Sequence, residues 1–349
     1  MPNTDNPDVS VLLAVHNGAR YLERSMRSVM AQTLRNIEII VVDDASSDAS
    51  PDILKQLASE DPRIRIVTQK ENLRLAGTLN HGLTHVQAPY VARMDDDDIA
   101  YPERLEVQKR FLDTHPDIYL AAASIDWIDA EGAVLRRSVR PRDSFAIRWL
   151  ARFSMSSSHP TFMFRRSLSD GSRPSYDPDR HLTEDHDLIC RLLQKGEKVV
   201  CLPDVLLAYR FHAGSVSRRR TEEQAREARE ICEAFQKAEL PDHIVQALAP
   251  VRDLYFDFAP PTPERAKAAF AGMRAMLAHD LSQAPERGAW LRRQSAQHLA
   301  WSLQRAGASG TATLRAFLRH GPDLLPALAL RKLETKRALG RLGSEPEIW

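Results

Sequence analysis

Residues 90–105 read Tyr-Val-Ala-Arg-Met-Asp-Asp-Asp-Asp-Ile-Ala-Tyr-Pro-Glu-Arg-Leu. The first five residues have the largely apolar composition of a short buried strand, and the proline and acid near the end are typical of a helix start. Between them lie four carboxylates, Asp95 to Asp98. Neighbouring like charges raise one another's pKa, and hard oxygen ligands suit Mg²⁺ or Mn²⁺ bound together with substrate phosphates. The other interpretation is a solvated acidic turn, which is how most charge runs end.

The order of strand, polar loop and helix recurs from the N-terminus to residue 114. Apolar runs predict strands at Val9–Val15, Ile37–Val42, Ile64–Thr68 and Tyr90–Met94. A helical pattern follows each of them, at residues 21–30, 50–60, 75–85 and 102–114, with Ser50 as the predicted cap of the second helix. Strands that alternate with helices predict an α/β fold, with a mostly parallel sheet flanked by helices and joined by right-handed crossovers.

Beyond residue 115 the predicted elements are mixed. A hairpin is expected from Leu120–Ile128 and residues 133–139, and further strands at His159–Arg165, Val199–Cys201 and residues 205–211. A helix at residues 185–195 ends before Gly196. From Arg218 the pattern is helical only, and Pro263, Pro285 and Pro322 each mark a helix start. We therefore predict two domains, residues 1–217 and a helical C-terminal extension at residues 218–349.

Composition narrows the class of protein. The chain has 349 residues, of which 43% are hydrophobic and 27% charged, and its formal net charge is +1. Three scattered cysteines give neither a disulfide framework nor a zinc site, which favours a reducing compartment. The first eight residues lack the apolar segment of a secretory signal, and no apolar run is long enough to span a bilayer. We expect a cytoplasmic protein with no nucleic-acid partner.

Basic residues outnumber acidic ones between Pro285 and Leu342, where they alternate with tryptophan, leucine and phenylalanine. One interpretation is an ordinary helical appendage, in which arginine stems cover apolar surface and the charges stay in water. The other is a basic amphipathic surface that rests on anionic lipid at the inner face of the cell membrane. An oligomerising role is a further possibility for this region.

Polar clusters end two other predicted strands besides the acidic run. His16 and Asn17 follow the first strand, and Asp43 and Asp44 follow the second. Aspartates there can simply close a turn. Alternatively, a carboxylate can accept the imide N–H of uracil and so select a uridine nucleotide. Because ligands of parallel sheets bind at the carboxyl ends of the strands, the three clusters are expected to share one crevice.

Three further clusters are candidates for chemistry. Glu184 and Asp185 precede an apolar helix face, where they could cap the helix or provide a general base. His212 ends a strand pattern and could be structural, or could complete a metal site otherwise made of carboxylate and phosphate oxygens. His159 is a weaker candidate for contact with an acceptor substrate.

Five segments of the chain fall in a recognisable order: residues 9–18, 41–46, 92–105, 184–188 and 209–212. They read Val-Ser-Val-Leu-Leu-Ala-Val-His-Asn-Gly, Val-Val-Asp-Asp-Ala-Ser, Ala-Arg-Met-Asp-Asp-Asp-Asp-Ile-Ala-Tyr-Pro-Glu-Arg-Leu, Glu-Asp-His-Asp-Leu and Tyr-Arg-Phe-His. Together they resemble family 2 glycosyltransferases of the Rossmann-like GT-A fold, over roughly residues 8–217. The resemblance implies inverting, Mg²⁺- or Mn²⁺-dependent transfer of a sugar, of the hexosyl type, from a UDP-sugar. A glycan or lipid-linked intermediate of polysaccharide synthesis is the expected acceptor.

The resemblance also assigns roles to single residues. Asp97 is the expected metal ligand of the family's D-x-D motif, Asp185 beside Glu184 the expected base, and His212 a contact of metal or diphosphate. Asp98 is expected only to cap a turn. The expected nucleotide-sugar contacts are Ala14, His16, Asn17, Asp44, Asn72, Arg74, Asp95 and Asp96. Relatives often have proline, tyrosine and glycine where this chain has Ala14, His16 and Arg74.

Two alternatives remain open from the sequence. A non-catalytic subunit that binds a sugar nucleotide within an assembly would keep the same fold and acids. A metal-dependent prenyl diphosphate enzyme would also use acidic runs, but on the helices of an all-helical chain.

Overall fold

The structure is a computed structural model that describes residues 6–140, 142–155, 157–212, 222–256 and 261–327. The chain divides into two compact units, Met1–Cys232 and Glu233–Trp349. The boundary predicted at residues 217–218 and the basic segment beyond residue 327 lie outside the described residues. The division into domains at residue 217 therefore stays a prediction.

Strands and helices alternate through most of the first unit. In chain order they are β1 (Val9–Val15), α1 (Leu22–Met30), β2 (Ile37–Asp43), α2 (Ser50–Glu60), β3 (Ile64–Thr68), α3 (Arg74–Leu83), β4 (Tyr90–Met94), β5 (Ile99–Ala100), α4 (Arg104–Thr114), β6 (Leu120–Ile128), β7 (Val134–Ser138), α5 (Ser144–Ala151), β8 (Met163–Arg165), α6 (Glu184–Gln194), β9 (Val199–Arg210) and α7 (Glu222–Glu239). Helix α7 continues into the second unit.

The strands form one mixed sheet in the order β3-β2-β1-β4-β8-β6-β9-β5, and β7 pairs with β6. Neighbours from β3 to β4 are parallel, as are β6 and β9, whereas β5, β7 and β8 run antiparallel to their neighbours. The prediction of a mostly parallel α/β sheet flanked by helices is confirmed. Because β1, β2 and β4 are parallel and adjacent, their carboxyl ends lie at one edge of the sheet.

Strands β1, β2 and β4 are largely apolar because they lie inside the sheet and are buried, whereas β3 at its edge is partly exposed. Val11, Leu13, Ile39 and Val41 are each at most 1% exposed. Burial of one such side chain contributes about 1.5–3 kcal/mol. The strands are therefore fixed by their own sequence, and the polar residues that follow them are held at the rim of a rigid sheet.

Two predictions about strands were wrong. His159–Thr161 is a 3-10 turn, and the strand begins only at Met163. Proline at the second position of that turn removes a backbone donor, which disfavours a ladder there. The two strands predicted on either side of Pro203 are one strand, β9, whose pairing with β6 shifts register between Ala123 and Ile125. That irregularity accommodates the proline inside the strand.

Ser50 is the first residue of α2 and does not cap the helix through its side chain. The carboxylate of Asp48 supplies the acceptor instead, since its Oδ1 accepts the Ser50 N–H at 2.9 Å. Pro263 opens a long helix as predicted, with Thr262 as its cap. Pro285 and Pro322 open single 3-10 turns.

The second unit is helical, as the sequence predicts. Beyond the end of α7 it contains α8 (Asp242–Ala247), α9 (Ala249–Phe256), α10 (Pro263–Gln283), α11 (Gly288–Arg305) and α12 (Gly310–His320). Phe270, Met273 and Phe317 are fully buried. Across the described ranges, no helix combines the length and the apolar content that a bilayer crossing needs.

Candidate active site

Loops from three strands meet at the carboxyl edge of the sheet. The Asp44 N–H donates to the Val15 carbonyl oxygen at 2.8 Å, and His16 Nδ1 donates to the Asp44 carbonyl oxygen at 2.7 Å. The loop after β1 also reaches the acidic run, because a Cβ atom added to Gly18 would lie 2.0 Å from Asp96 Oδ2. The structure thus brings together the polar clusters that follow β1, β2 and β4.

Backbone strain is concentrated in the loops that follow β1, β2 and β3. Asn17, Ala45 and Arg74 have φ angles of 56°, 55° and 59°, and no other non-glycine residue in the described ranges has a positive φ. The left-handed conformation costs an ordinary residue about 1–2 kcal/mol, and such strain persists mainly at functional sites. Glycine adopts this conformation freely, so a glycine at the position of Arg74 would relieve the strain there.

Several expected nucleotide contacts brace the loops themselves. Asn17 Oδ1 accepts the Ser47 N–H at 2.8 Å, and Asn72 Oδ1 accepts the Arg74 N–H at 2.8 Å. Each amide oxygen therefore stabilises a turn next to a residue with a positive φ. Both side chains are exposed, and Asn17 Nδ2 lies 3.1 Å from His16 Nε2.

Asp44 is only 3% exposed, and its Oδ1 accepts the Leu73 N–H at 2.7 Å. One carboxylate oxygen is thus used to hold the loop before α3, and the other can accept a ligand N–H. Ala14 is half-buried in β1, whereas His16 and Arg74 are exposed.

The first three aspartates of the run point to different partners. Asp95 forms an ion pair with the buried Arg93, and its carbonyl oxygen accepts the Ser25 hydroxyl at 2.7 Å. Asp97 Oδ2 lies 3.0 Å from His212 Nε2. Asp96 faces Gly18 in the loop after β1. The run therefore directs its carboxylates to three partners: Arg93 in β4, the loop after β1, and His212.

Asp98 is buried and does more than cap a turn. Its Oδ1 accepts the Arg210 N–H at 2.7 Å, while the Arg210 guanidinium donates to the carbonyl oxygens of Asp97, Asp129 and Ala130 at 2.7, 3.0 and 2.9 Å. Arg210 thus fixes the backbone of the acidic run against the turn of the β6–β7 hairpin.

Asp95, Asp97 and Asp98 are the residues that could together hold a divalent cation. One carboxylate oxygen from each lies within 4.8 Å of the others. Burial raises the pKa of Asp97 and of Asp98, and nearby aspartates raise both further. Asp98 Oδ2 is buried and has no hydrogen-bond partner in the part of the chain that the structure describes. Oxygen ligands that are this crowded fit Mg²⁺ or Mn²⁺, with His212 at the edge of the group.

Glu184 and Asp185 are the first two residues of α6. Burial raises the pKa of both carboxyl groups, and the charge of Asp185 raises that of Glu184 further. Asp185 Oδ1 accepts the His186 N–H at 2.7 Å, which fixes the carboxylate at the helix N-terminus. A carboxylate with a raised pKa is a stronger proton acceptor, so this pair has the properties of a general base.

His159 lies in a buried polar network next to this pair. Its Nε2 is 2.9 Å from the Tyr176 hydroxyl oxygen, and its Nδ1 is 3.8 Å from Glu184 Oε1. The Tyr176 backbone is in turn held by the Asn80 side chain, with both hydrogen bonds at 2.8 Å. Burial and the nearby Arg93 hold the pKa of His159 well below its usual value, so the imidazole is neutral. At 6% exposure, His159 is enclosed in this network rather than open to solvent.

Arg93 links the acidic run to the α6 carboxylates, and the sequence analysis did not identify it. It is 2% exposed, pairs with Asp95, and lowers the pKa of both Glu184 and Asp185. Its own pKa is raised by Asp95 in spite of burial. A charged residue inside an otherwise apolar strand was the available signal, since buried arginines require a partner.

The chain is also similar in sequence to known proteins. A family model described as glycosyl transferase family 2 matches residues 10–171. EpsE of Bacillus subtilis is 33% identical over 215 residues, which are 61% of this chain and 76% of EpsE. The amylovoran biosynthesis glycosyltransferase AmsE of Erwinia amylovora is 33% identical over 217 residues, which are 60% of this chain and 79% of AmsE.

Solved structures give the same fold at low sequence identity. TarS of S. aureus in complex with UDP-GlcNAc has a TM-score of 0.58 and 16% identity, covering 86% of this chain and 88% of the TarS chain. TarS in complex with UDP has a TM-score of 0.56 and 17% identity, covering 90% and 92%. At this level of identity the similarity concerns the fold alone.

Proposed function

Because the chain belongs to glycosyltransferase family 2 and has the GT-A fold, we propose that it is an inverting, metal-dependent hexosyltransferase that uses a UDP-sugar. The observation that carries this proposal is the position of Arg93, which pairs with Asp95 and lowers the pKa of Asp185. The charge of Arg93 therefore acts both on the acidic run and on the carboxylates at the start of α6. A diphosphate site and a base that act on the same sugar must be neighbours of this kind.

The residues divide the reaction between them. Asp185 removes the proton from an acceptor hydroxyl while that oxygen attacks the anomeric carbon from the face opposite the diphosphate. The configuration inverts, so an α-linked donor gives a β-glycoside. Asp95, Asp97 and Asp98 would hold Mg²⁺ or Mn²⁺, with His212 beside Asp97. When bound, the cation supplies positive charge that stabilises the departing nucleoside diphosphate.

A uridine nucleotide is the proposed donor because the Asp44 carboxylate can accept the imide N–H of the uracil ring. The carboxylate is buried and held by the Leu73 N–H, so it is oriented before the base arrives. Cytosine has no imide N–H and would leave this buried acceptor without a partner. TarS, which shares the fold, was solved with UDP and with UDP-GlcNAc, and this supports the choice of nucleotide.

The proposed acceptor is a hydroxyl group of a growing glycan or lipid-linked intermediate. Support comes from the names of similar proteins, which include amylovoran biosynthesis for AmsE and O-antigen biosynthesis for WbnJ of Escherichia coli.

We also propose that the C-terminal helices contact an anionic membrane surface. On α12, Leu314 and Leu318 are 48% and 59% exposed, next to the exposed Arg315 and Arg319. The test is binding of the full chain, at low salt, to vesicles with and without phosphatidylserine. Failure of the protein to bind either kind of vesicle would disprove the proposal.

A screen of UDP-sugars tests the proposed reaction directly. Each UDP-sugar is incubated with the full chain and Mn²⁺ or Mg²⁺, and UDP release and the shift in Tm are measured. We expect one donor to give metal-dependent UDP release that EDTA abolishes. Stabilisation by a UDP-sugar without any turnover, also with glycan acceptors present, would instead favour the non-catalytic assembly subunit. The prenyl diphosphate alternative required an all-helical chain, whereas here the acidic run follows β4 of a sheet.

A further inference from the structure

Helix α7 packs against the segment that leads into α6, and this contact lies within the first unit. Glu227 is 5% exposed, and its Oε2 accepts the Thr183 hydroxyl at 2.8 Å and the Leu182 N–H at 3.3 Å. The Leu182 carbonyl oxygen accepts from Gln224 Nε2 at 3.3 Å. The peptide groups just before the catalytic pair are thus held by side chains of a helix that lies beyond the family match at residues 10–171.

Thr183 is the residue at the N-cap position of α6, yet its side chain makes no capping hydrogen bond. Threonine at this position usually accepts a backbone N–H of the first turn. Here its hydroxyl hydrogen is donated sideways to Glu227, so the two elements are joined at the residue immediately before Glu184 and Asp185. Glu227 therefore contacts the N-cap residue of the helix turn that carries both carboxylates.

A second contact strengthens the same junction. Arg180 Nη1 lies 2.8 Å from Glu230 Oε2, one turn further along α7. This pair is partly exposed and contributes little by itself. The buried carboxylate of Glu227 is different, because its loss would leave two donors, the Thr183 hydroxyl and the Leu182 N–H, without their acceptor.

We propose that Glu227 is a positioning residue that sets the location of Asp185 through Thr183 and Leu182. This inference rests on the proposed function of Asp185 as the base. Glu227 itself contacts neither substrate nor metal. Through this role, the chain after residue 217 would take part in catalysis. Loss of Glu227 would let Asp185 move, and a displacement of about 1 Å in a catalytic group can lower the rate about 100-fold.

The test compares Glu227→Ala with Glu227→Gln, which keeps an acceptor oxygen for both donors, and with Glu223→Ala, an exposed glutamate one turn earlier on α7. Three quantities are measured in the full chain: hydrogen exchange of the amides at residues 182–188, the Kd of UDP, and kcat and KM for the UDP-sugar that is hydrolysed. We expect Glu227→Ala to raise exchange at residues 182–188 and to lower kcat about tenfold. The Kd of UDP should stay unchanged, and Glu227→Gln should restore kcat and protection.

A Thr183→Val variant should lower kcat, as Glu227→Ala does. Combined with Glu227→Ala, it should add almost nothing, because both remove the same contact. Wild-type exchange at residues 182–188 in Glu227→Ala would overturn the inference, whether or not turnover is detected. A kcat equal to that of Glu223→Ala, or a loss of UDP affinity that accounts for the whole effect, would also overturn it. Absence of UDP release from every donor in the wild type would instead refute the proposed function, and exchange would still test the contact.

Discussion

The loops proposed to bind the nucleotide, at residues 16–19, 44–49 and 69–74, and the start of α6 are built in opposite ways. The loops are short, strained and held by contacts with one another, as in the His16–Asp44 and Asn17–Ser47 hydrogen bonds. The start of α6 has no positive φ angle, and the groups that act on it are distant in sequence: Arg93 lowers the pKa of Asp185, and Glu227 accepts the Thr183 hydroxyl. One side of the site is thus specified locally and the other by tertiary packing.

This difference separates binding from chemistry. Changes in the loops or the acidic run should alter nucleotide affinity, because these residues form the proposed donor site. Changes at the start of α6 should alter kcat and leave the affinity for UDP intact. Each prediction below tests that division in a different region, beginning with the largest expected effect.

We expect Asp97→Asn and Asp185→Asn each to lower transfer by about 100-fold or more, because one loses charge stabilisation and the other the general base. Titration calorimetry should separate them, since only Asp97→Asn should weaken metal-dependent UDP binding. Asp187→Asn is the matched control, because this aspartate lies in the same turn of α6 and pairs with Arg191 at 2.7 Å. Near-normal transfer by either variant would remove that residue from its proposed role.

Gly18→Ala should weaken UDP binding about tenfold. The added Cβ would lie 2.0 Å from Asp96 Oδ2, so the loop or the carboxylate must move. Overpacking of this kind costs about 1–3 kcal/mol, and 1.4 kcal/mol corresponds to a factor of ten in Kd. Gly310→Ala is the control, since nothing lies within 4 Å of its Cβ position. An unchanged Kd in Gly18→Ala would show that Asp96 does not face the bound nucleotide.

The pH profile of kcat/KM should show an acid limb that belongs to Asp185. Burial raises the pKa of this carboxyl group in the folded protein, and only the deprotonated form accepts a proton. Activity should therefore be present above that raised pKa and be lost as pH falls through it, well above the ordinary aspartate value of about 4. The residual rate of Asp185→Asn should lack this limb. A wild-type profile that stays flat down to pH 4.5 would contradict the assignment.

Arg74→Gly should have the smallest effect. Unlike most changes to glycine, it should stabilise the protein. Glycine relieves the positive φ of 59°, which we expect to raise the free energy of unfolding by about 1 kcal/mol in urea denaturation. If Arg74 contributes charge near a diphosphate, the KM for donor should rise at the same time. Arg110→Gly, in the interior of α4, should instead lower stability by about 1 kcal/mol. Equal destabilisation by both changes would mean that Arg74 carries no strain.

The same division explains how much the sequence could predict. The bounds of β1, β3 and β4 were predicted to the residue, because β-branched and apolar runs bounded by polar loops encode them directly. The acidic run, Asp44 and Asp185 were likewise identified as candidates because polar residues follow strand patterns or open a helix. These signals are contiguous in sequence and need no knowledge of tertiary contacts.

The remaining features could not be predicted from local pattern. Arg93 was read as part of a strand, and Tyr176 lies in a segment without regular pattern. The Tyr176–His159 hydrogen bond joins residues 17 positions apart, and the Thr183–Glu227 bond joins residues 44 apart. His159, the candidate for contact with an acceptor, is buried within this network. Contacts of this kind are set by how elements pack, and a single sequence carries no direct record of them.

Arg210 has a consequence for the entropy of ligand binding. Its guanidinium joins the backbone of the acidic run to the turn of the β6–β7 hairpin through the carbonyl oxygens of Asp97, Asp129 and Ala130. A loop of four carboxylates would otherwise spread apart by mutual repulsion and have to be ordered each time a ligand arrived. Because the backbone is already fixed, little conformational freedom is left to lose on association, and more of the interaction energy is retained as affinity.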